Sequence, residues 1–494
     1  MWNPGAGKQR RLGGPGHSQR GAISLLLVIT ILVMLGFTGL ALDTAMAYNR
    51  RAELQGVADA AALAAARELN GTPAGITAAV NRAGAVVSRF RYRYDRVALT
   101  WSDTAIEFSA TPAYTGSWRN PGSAAASPSG LYFAKVDTSE LDAAAASVEA
   151  VFMRIIGADL AATNVVARAI AGRSGINVTP LAVCAMSTAP ATPRANPGPP
   201  ANLELVEYGF RRGVGYDLMN LNPGAATPAN FLVNPIDPPG ASASAVHTTI
   251  PIVGPFVCTG TMAMTRVSGG PITVNSPFPI ADLFRQLNSR FDQYDGNMCN
   301  PNGAPPDFNI RPFFFNTSIP WMVTPPGVQT AAALAGPNSL ETIADPAPSP
   351  AGTTAPQYGP LWSFARAVPF ASYVPGAPEP ASGYAYFPTA AWATLYRPGQ
   401  PATLAYPALT PYMASSGANF QAPSLSNRPG LRNRRVLNVP LLACPVSGSA
   451  NAAATVLAIG KFFMTVPATD TAISAEFGGV VPAESLGGPV ELYP

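Results

Sequence analysis

The sequence predicts an α+β protein in which one membrane-spanning helix leads into an α+β unit and then into a large β-rich domain with long Pro/Gly loops. Residues 21–42 carry no charge, and residues 43–173 mix strong helix formers with short alternating segments. Residues 174–494 combine short apolar runs with many prolines, and residues 1–20 form a basic tail. With 48% hydrophobic and 12% charged residues, the composition excludes coiled-coil, collagen-like and acidic-tail proteins.

The uncharged segment at residues 21–42 is long enough to cross a bilayer. As a helix its 22 residues span about 33 Å, and a hydrocarbon core is about 30 Å thick. The tail before it has no acidic side chain, whereas the rest of the chain has 27 basic and 27 acidic side chains. The positive-inside rule therefore predicts a cytoplasmic N-terminus and an exported C-terminal part. The basic side chains of the tail are Lys8, Arg10, Arg11 and Arg20.

A cleaved signal peptide is the alternative interpretation of this segment. An Ala-x-Ala site occurs at residues 45–47, but Asp43 interrupts the approach to it. The apolar region of a signal peptide is also shorter, about 7–15 residues. We therefore expect the segment to be retained as a single membrane anchor.

The four cysteines all follow the apolar segment, in a compartment where disulfides persist. None shows Cys-x-x-Cys spacing, and four cysteines allow three connectivities. Cys184 and Cys444 end similar apolar segments, so we favour the pairs Cys184–Cys444 and Cys258–Cys299. Isolated buried thiols are the alternative.

The α+β unit is expected to begin with helices. Residues 44–69 are rich in Ala, Leu, Arg and Glu without proline, and this helix is expected to continue the membrane helix without a break. Gly71 ends it, Thr72 caps a second helix, and Pro73 takes the favoured first position of that helix, which runs to about Val87.

Alternating segments predict strands in the rest of this unit. Residues 97–101 and 105–110 are interpreted as a hairpin, and residues 131–136 and 163–171 as further strands. Residues 139–157 suit a helix, with Val148, Val151, Phe152 and Ile155 on one face.

In the β-rich domain, the prolines restrict strands to short or edge positions. Residues 280–291 are the one helix candidate. The predicted strands are residues 177–183, 249–258, 435–443, 454–466 and 472–481.

The N-terminal segment resembles a known family. A basic tail precedes Arg20-Gly-Ala-Ile, and after the apolar span come Leu42-Asp43, Tyr48 and Gln55-x-x-x-Asp59-Ala-Ala-Ala-Leu-Ala. Over residues 18–70 this is similar to the N-terminal segment of TadG-like Flp/Tad (tight adherence) pilus-assembly proteins. The unit that follows, to Ala171, resembles their pilin-like stretch. The resemblance implies a pilin-like α+β unit, a bacterial inner-membrane anchor and a periplasmic domain.

The Ala-rich helix of this segment offers a face for a partner helix, because small side chains allow close approach. Gln55 and Asp59 lie four residues apart and share a face, so they can hydrogen-bond each other or a partner. Ala61, Leu63 and Ala65 complete the candidate packing residues. The alternative is ordinary packing on the protein's own domain, with Asp59 solvated.

Two departures from related patterns bear on function. Processed type IV pilins are cut after Gly and have Glu as the fifth mature residue, whereas cleavage after Gly21 would place Leu26 there. Some TadG proteins carry a von Willebrand A-type metal site that begins Asp-x-Ser-x-Ser, but the string at Asp137 lacks the second serine. The sequence therefore favours neither prepilin processing nor a bound metal.

Catalytic residues are scarce. His247 is the only histidine of the exported part, and the motifs of serine hydrolases, zinc proteases and P-loops are missing. Asp292, Asp295 and Asp307 could bind Ca²⁺ but lack the spacing of a calcium loop, so a turn-rich connection is the preferred interpretation. We predict a protein that is not an enzyme, with no cofactor, no metal and no nucleic-acid partner.

The function that the resemblance implies is a membrane-anchored assembly or accessory scaffold of a Tad/Flp-type pilus. Its expected partners are the inner membrane and other pilus-machinery or pilin-like proteins. The alternative is a surface-exposed adhesin, or a noncanonical minor pilin or tip subunit. A weaker third reading is an exported metal-dependent domain.

Overall fold

The computed structural model has a long N-terminal helix followed by helices and several β-sheets, which confirms the α+β class. It describes residues 20–92, 97–141, 143–196, 201–221, 229–268, 270–296, 298–313, 361–380, 382–395 and 406–494. The basic tail, apart from Arg20, and the whole stretch from 314 to 360 therefore lie outside the described residues.

The helices follow the predicted order at the N-terminus. Helix α1 is continuous through the apolar segment and the Ala-rich segment, as expected, and its 49 residues extend about 74 Å. Thr72 Oγ1 accepts the Gly75 N–H at 3.1 Å and so caps α2. The α-helices of the described residues are α1 (Arg20–Glu68), α2 (Pro73–Val87), α3 (Pro121–Ala126), α4 (Ala143–Ala146), α5 (Met153–Ile156), α6 (Ile250–Thr259) and α7 (Ile280–Asn288).

The first part of α1 has the properties of a membrane helix. Its apolar window has a mean hydropathy of 2.7, and only 6% of that window is buried. A core helix of a water-soluble protein would be mostly buried. Thr30 and Thr38 donate their hydroxyls to the carbonyls of Leu26 and Met34 at 2.8 and 2.9 Å, so these polar groups are satisfied within the helix.

Strands occupy most of the rest of the chain. Those of the described residues are β1 (Arg91–Tyr92), β2 (Val97–Ala98), β3 (Ile106–Ser109), β4 (Phe133–Asp137), β5 (Ser147–Glu149), β6 (Ala162–Asn164), β7 (Arg168–Arg173), β8 (Leu181–Cys184), β9 (Thr192–Asn196), β10 (Asn202–Glu207), β11 (Phe210–Arg211), β12 (Gly215–Asp217), β13 (Asn230–Val233), β14 (Ile272–Asn275), β15 (Val436–Leu442), β16 (Ala452–Ala454), β17 (Val456–Met464), β18 (Ser474–Val481) and β19 (Val490–Tyr493).

The chain divides into two units, neither of which coincides with the predicted ranges 43–173 and 174–494. The first comprises Met1–Ala61, Ala83–Ile106 and Val136–Ala169, and the second Ala62–Arg82, Glu107–Lys135 and Ile170–Pro494. One reason for the difference is the C-terminal strand: β19 pairs antiparallel with β7, in a sheet of order β19-β7-β4-β3. Sequence patterns within residues 43–173 cannot anticipate a strand supplied by the end of the chain.

Two predictions for residues 43–173 are wrong. The hairpin of residues 97–110 does not form, because β2 pairs with β1 and Ser102 accepts the Thr104 N–H to cap a short 3-10 turn before β3. The helix of residues 139–157 is broken into α4, β5 and α5, since β5 pairs antiparallel with β6.

The second unit is built on an eight-stranded sheet of order β12-β18-β17-β15-β8-β13-β14-β16. The strands predicted at residues 435–443, 454–466 and 472–481 correspond to β15, β17 and β18, which form the centre of the sheet. Strand β8 pairs with β15 in parallel. Buried aromatic rings pack in edge contacts around Phe210, whose centroid is 5.4 Å from that of Phe462.

The predicted strand at 249–258 is instead helix α6. Its buried residues Val253, Gly254, Val257 and Cys258 recur at helical spacing, so one face packs inward. A short apolar run with two prolines suits either structure by pattern alone. Helix α7 confirms the helix predicted for residues 280–291, which continues in a 3-10 turn at Ser289–Phe291.

Candidate functional site

The end of the apolar segment of α1 is held by one carboxylate. Asp43, 7% exposed, accepts the backbone N–H groups of Val151, Phe152 and Met153 at 2.9, 3.0 and 2.8 Å. Burial alone would raise the pKa of Asp43, but the three N–H donors outweigh it and hold the pKa below its ordinary value. An ionised carboxylate at the end of the apolar segment thus fixes the turn that precedes α5.

Phe152 packs on the membrane helix one turn before Asp43. A Cβ atom added to Gly39 would lie 2.5 Å from the Phe152 Cβ and 2.9 Å from its Cγ. No side chain larger than hydrogen fits there without displacing the ring. Gly39 therefore lets the α5 turn lie directly against the backbone of α1.

A cleft of about 520 Å³ opens beside this contact. Asp43 and Leu40 line it from α1, and Met153, Asp159 and Leu160 line it from the turn and the residues after α5. Both walls belong to the first unit. Its lining combines the apolar side chains of Leu40, Met153 and Leu160 with the carboxylates of Asp43 and Asp159.

Of the packing residues predicted on the Ala-rich helix, Gln55 and Asp59 do meet. Gln55 Nε2 donates to Asp59 Oδ1 at 2.7 Å and to the carbonyl oxygen of Arg168 at 2.9 Å. Both side chains are half-buried. The pair thus ties α1 to the strand β7 of the protein itself.

The three remaining packing residues differ in exposure. Ala61 and Ala65 have no exposed surface, whereas Leu63 is half-buried. In this structure the first two cannot contact a second helix, because the protein's own fold already covers them. A partner helix would approach through Leu63 and the other half-exposed residues of that face.

The four cysteines form two pairs, and these are the pairs that the sequence favours. Cys184 and Cys444 have Cα atoms 5.6 Å apart, and Cys258 and Cys299 have Cα atoms 5.5 Å apart. The parallel register of β15 and β8 places Leu442 opposite Cys184, which brings Cys444 within reach. The second pair links α6 to the turn region after α7.

The residues considered for catalysis or metal binding are occupied by the protein's own groups. His247 Nδ1 lies 2.9 Å from Asp237 Oδ2, and that oxygen also accepts the Ser244 N–H. Asp137 accepts from Ser139 and pairs with Arg168. Within the described residues there is no group of three His, Cys, Asp or Glu side chains suited to a metal.

The acidic stretch at residues 292–307 is likewise not assembled into a calcium site. Asp292 accepts the Ser424 N–H and the Asn427 amide, both at 2.6 Å. Asp307 is fully buried and accepts the Tyr412 hydroxyl at 2.9 Å. Asp295 lies separately, at a surface cleft with Arg285.

The second unit contains a charged cluster that the sequence does not predict, because its members are far apart in the chain. Arg212 donates to Glu207 and, across 167 residues, to Glu379, beside a cleft of about 310 Å³ that Tyr208 and Tyr384 help to line. Burial lowers the pKa of Arg212, but the two carboxylates outweigh it and raise that pKa above its ordinary value. Lys461 Nζ lies 3.9 Å from Glu379 Oε2, so two basic side chains balance the two carboxylates and each carboxylate has a partner of opposite charge.

Comparison with known proteins bears on the first unit. Residues 21–68 match the family model of putative Flp pilus-assembly TadE/G-like proteins. The matched segment is helix α1 almost from end to end, and it contains the membrane segment, Asp43 and the Gln55–Asp59 pair. A search of curated proteins and a search of solved structures each gave no match. The segment therefore indicates a role in Tad pilus assembly and a membrane location.

Proposed function

We propose that this protein is a membrane-anchored scaffold for the assembly of a Tad/Flp-type pilus. Residues 1–20 lie in the cytoplasm, residues 21–42 span the inner membrane, and residues 43–494 lie in the periplasm. Its partners are components of the pilus machinery or pilin-like proteins. It acts by binding and positioning them, without catalysis.

The main support for this proposal is that the two halves of α1, the family-matched helix, differ in their exposure. Its apolar half is bare, with Leu32 and Phe37 63% and 71% exposed, as lipid contact requires. From Leu54 onward one face of its polar half is buried, at Leu54, Val57, Ala58, Ala61, Ala62, Ala65 and Ala66. A helix that is lipid-exposed at one end and fixed in a folded unit at the other holds that unit at the membrane surface.

The Asp43 contact supports the scaffolding role. Three hydrogen bonds join the exit of the anchor to residues 151–153 of the same unit. The exported unit is thereby joined to the anchor by fixed contacts as well as by the chain. Such rigidity suits a protein that presents a surface to its partners at a defined distance from the membrane.

The test is a deletion strain complemented with two forms of the gene, and with an empty vector as the control. The forms are the wild type and a form in which a cleavable signal peptide replaces residues 1–42. Pili are counted by electron microscopy and by immunoblot of sheared material. We expect pili only with the wild type, and the protein itself only in the inner-membrane fraction.

Other outcomes distinguish the alternatives. Intact pili with lost surface attachment in the deletion strain would identify an adhesin. Recovery of a chain that begins at Ala22 in sheared pili would identify a noncanonical minor pilin or tip subunit. Either result would refute the scaffold proposal, and mass spectrometry of the N-terminal peptide separates them.

A further inference from the structure

Large apolar side chains lie bare around α5, beside the membrane exit of α1. Val151, Phe152, Ile155 and Leu160 are 53%, 40%, 80% and 46% exposed. We refer to these four residues as the apolar foot. Large hydrophobic side chains grouped on one surface mark a site of contact with a partner or a membrane.

The position of the foot identifies what it contacts. Phe152 lies against Gly39, which belongs to the uncharged segment 21–42, and Asp43 binds the backbone of residues 151–153. The foot is thus level with the last turn of that segment. Leu40 and Leu42 of the same turn are themselves 45% and 47% exposed. One apolar surface runs from the anchor onto the foot.

Seven backbone N–H groups between residues 150 and 160 have hydrogen-bond acceptors within the protein. In a bilayer, each unpaired backbone N–H is costly. Asp43 satisfies the N–H groups of residues 151–153, and Ala150 N–H donates to the Ala161 carbonyl at 2.9 Å. The N–H groups of residues 155, 157 and 160 donate to carbonyls within the turn at 3.1–3.2 Å.

The charges near the foot argue against an electrostatic partner. The exposed charged side chains around the foot are of both signs: Arg154 is basic, and Glu149 and Asp159 are acidic, so the net charge is small. A partner recognised by charge would need an excess of one sign. The apolar surface, its depth and its paired backbone together suit lipid acyl chains.

We propose that the apolar foot inserts into the exported-side leaflet of the membrane, at the boundary between headgroups and acyl chains, next to α1. It gives the protein a second membrane contact besides the helix, and this contact fixes the orientation of the first unit. The inference rests on the proposed membrane anchoring of α1.

The test places a fluorophore on the foot of the full-length protein. All four native cysteines are paired, so an introduced cysteine is the only free thiol. Ile155→Cys and, as a second position, Leu160→Cys are labelled with an environment-sensitive dye. The protein is reconstituted in phosphatidylcholine vesicles that contain some phosphatidylglycerol and lipids with a spin label on the acyl chain.

Two control positions bracket the result. Leu40→Cys reports on the anchor itself, and Leu425→Cys is matched to Ile155, since Leu425 is 81% exposed on the second unit. We expect blue-shifted emission and spin-label quenching at Ile155 and Leu160, comparable with Leu40, and neither effect at Leu425. The quenching should persist at high salt, because the contact is apolar.

The outcomes separate the two proposals. Quenching at Leu40 with none at Ile155 and Leu160 would overturn the foot while leaving the anchor in place. Absence of quenching at Leu40 would overturn the anchor and the foot with it. Quenching at Ile155 that disappears in high salt would replace apolar insertion with surface attraction and refute the proposal.

Discussion

Removing the bond between Cys184 and Cys444 is expected to destabilise the fold more than removing the bond between Cys258 and Cys299. The first bond joins cysteines that are 260 residues apart in the sequence, and the second joins cysteines that are 41 residues apart. A crosslink stabilises mainly by restricting the unfolded chain, and the loop-entropy relation gives about 5.6 kcal/mol for the long loop and about 3.9 kcal/mol for the short one. The expected difference is therefore about 1.6 kcal/mol in the free energy of unfolding.

The assay compares two double variants, Cys184→Ala with Cys444→Ala, and Cys258→Ala with Cys299→Ala. Each removes one bond without leaving a free thiol. Cys184 and Cys258 are both buried, so the loss of packing is similar in the two variants. The full-length protein in detergent is unfolded in urea and followed by tryptophan fluorescence. Reduced wild-type protein serves as the control that lacks both bonds.

Two results would refute this reasoning. Equal urea midpoints for the two variants, or a lower midpoint for the short-loop variant, would show that loop closure does not dominate the stabilisation. A non-reducing peptide map that joins Cys184 to Cys258 or Cys299 would show that the pairing itself is wrong. The peptide map is therefore made before the unfolding experiments.

Three further predictions concern buried groups. Asp43→Asn should speed hydrogen exchange at residues 151–153. The pKa of Asp43 in the folded protein is lowered, so its carboxylate stays ionised as the pH falls to about 3.8. The protection of these amides in the wild type, corrected for intrinsic exchange, should therefore persist down to that pH and fail below it. Ala61→Arg should lower the melting temperature because Ala61 is fully buried, whereas Leu63→Arg should leave folding intact and reduce crosslinking to partners. Burial raises the pKa of Glu476 to about 7, although three backbone N–H groups oppose the shift. The free energy of unfolding of the wild type should therefore fall by about 3 kcal/mol between pH 4.5 and 7. Glu476→Gln should remove this pH dependence.

Each of these predictions has its contradicting result. Unchanged exchange at residues 151–153 in Asp43→Asn would show that the carboxylate does not hold the turn. Normal melting of Ala61→Arg would mean that the helix face is open, as the sequence suggests, and available to partners. The same pH dependence in Glu476→Gln and the wild type would mean that this carboxylate stays ionised, held by the N–H groups of residues 363–365.

Sequence patterns correctly predicted the helices and strands whose stability depends on residues close to them in the chain. Helix α1 follows from its composition, α2 from Thr72 and Pro73, and the strands β15, β17 and β18 from their apolar runs. In each case propensity, capping and pattern indicate the same structure. These elements also carry the family-matched segment and the centre of the main sheet.

Two of the failures come from contacts with distant residues. The pattern over 139–157 suits a helix, but Asp43, more than a hundred residues earlier, binds the N–H groups of 151–153 and the chain turns there. Likewise Glu379 completes the charged cluster at Arg212 from 167 residues away. Nothing in the local sequence reports either contact, so the membrane exit and the charged cluster could be found only in three dimensions.

The predicted face of small residues requires a different interpretation now that its burial is known. Small side chains on a helix permit close packing, but they do not specify whether the neighbour is another protein or the same chain. Here Ala58, Ala61 and Ala65 are fully covered within the fold, and Gln55 is bonded to the backbone of Arg168. The Ala-rich part of the family-matched helix therefore packs against the protein's own fold, and the face of this helix that is left for a partner is the half-buried one that includes Leu63.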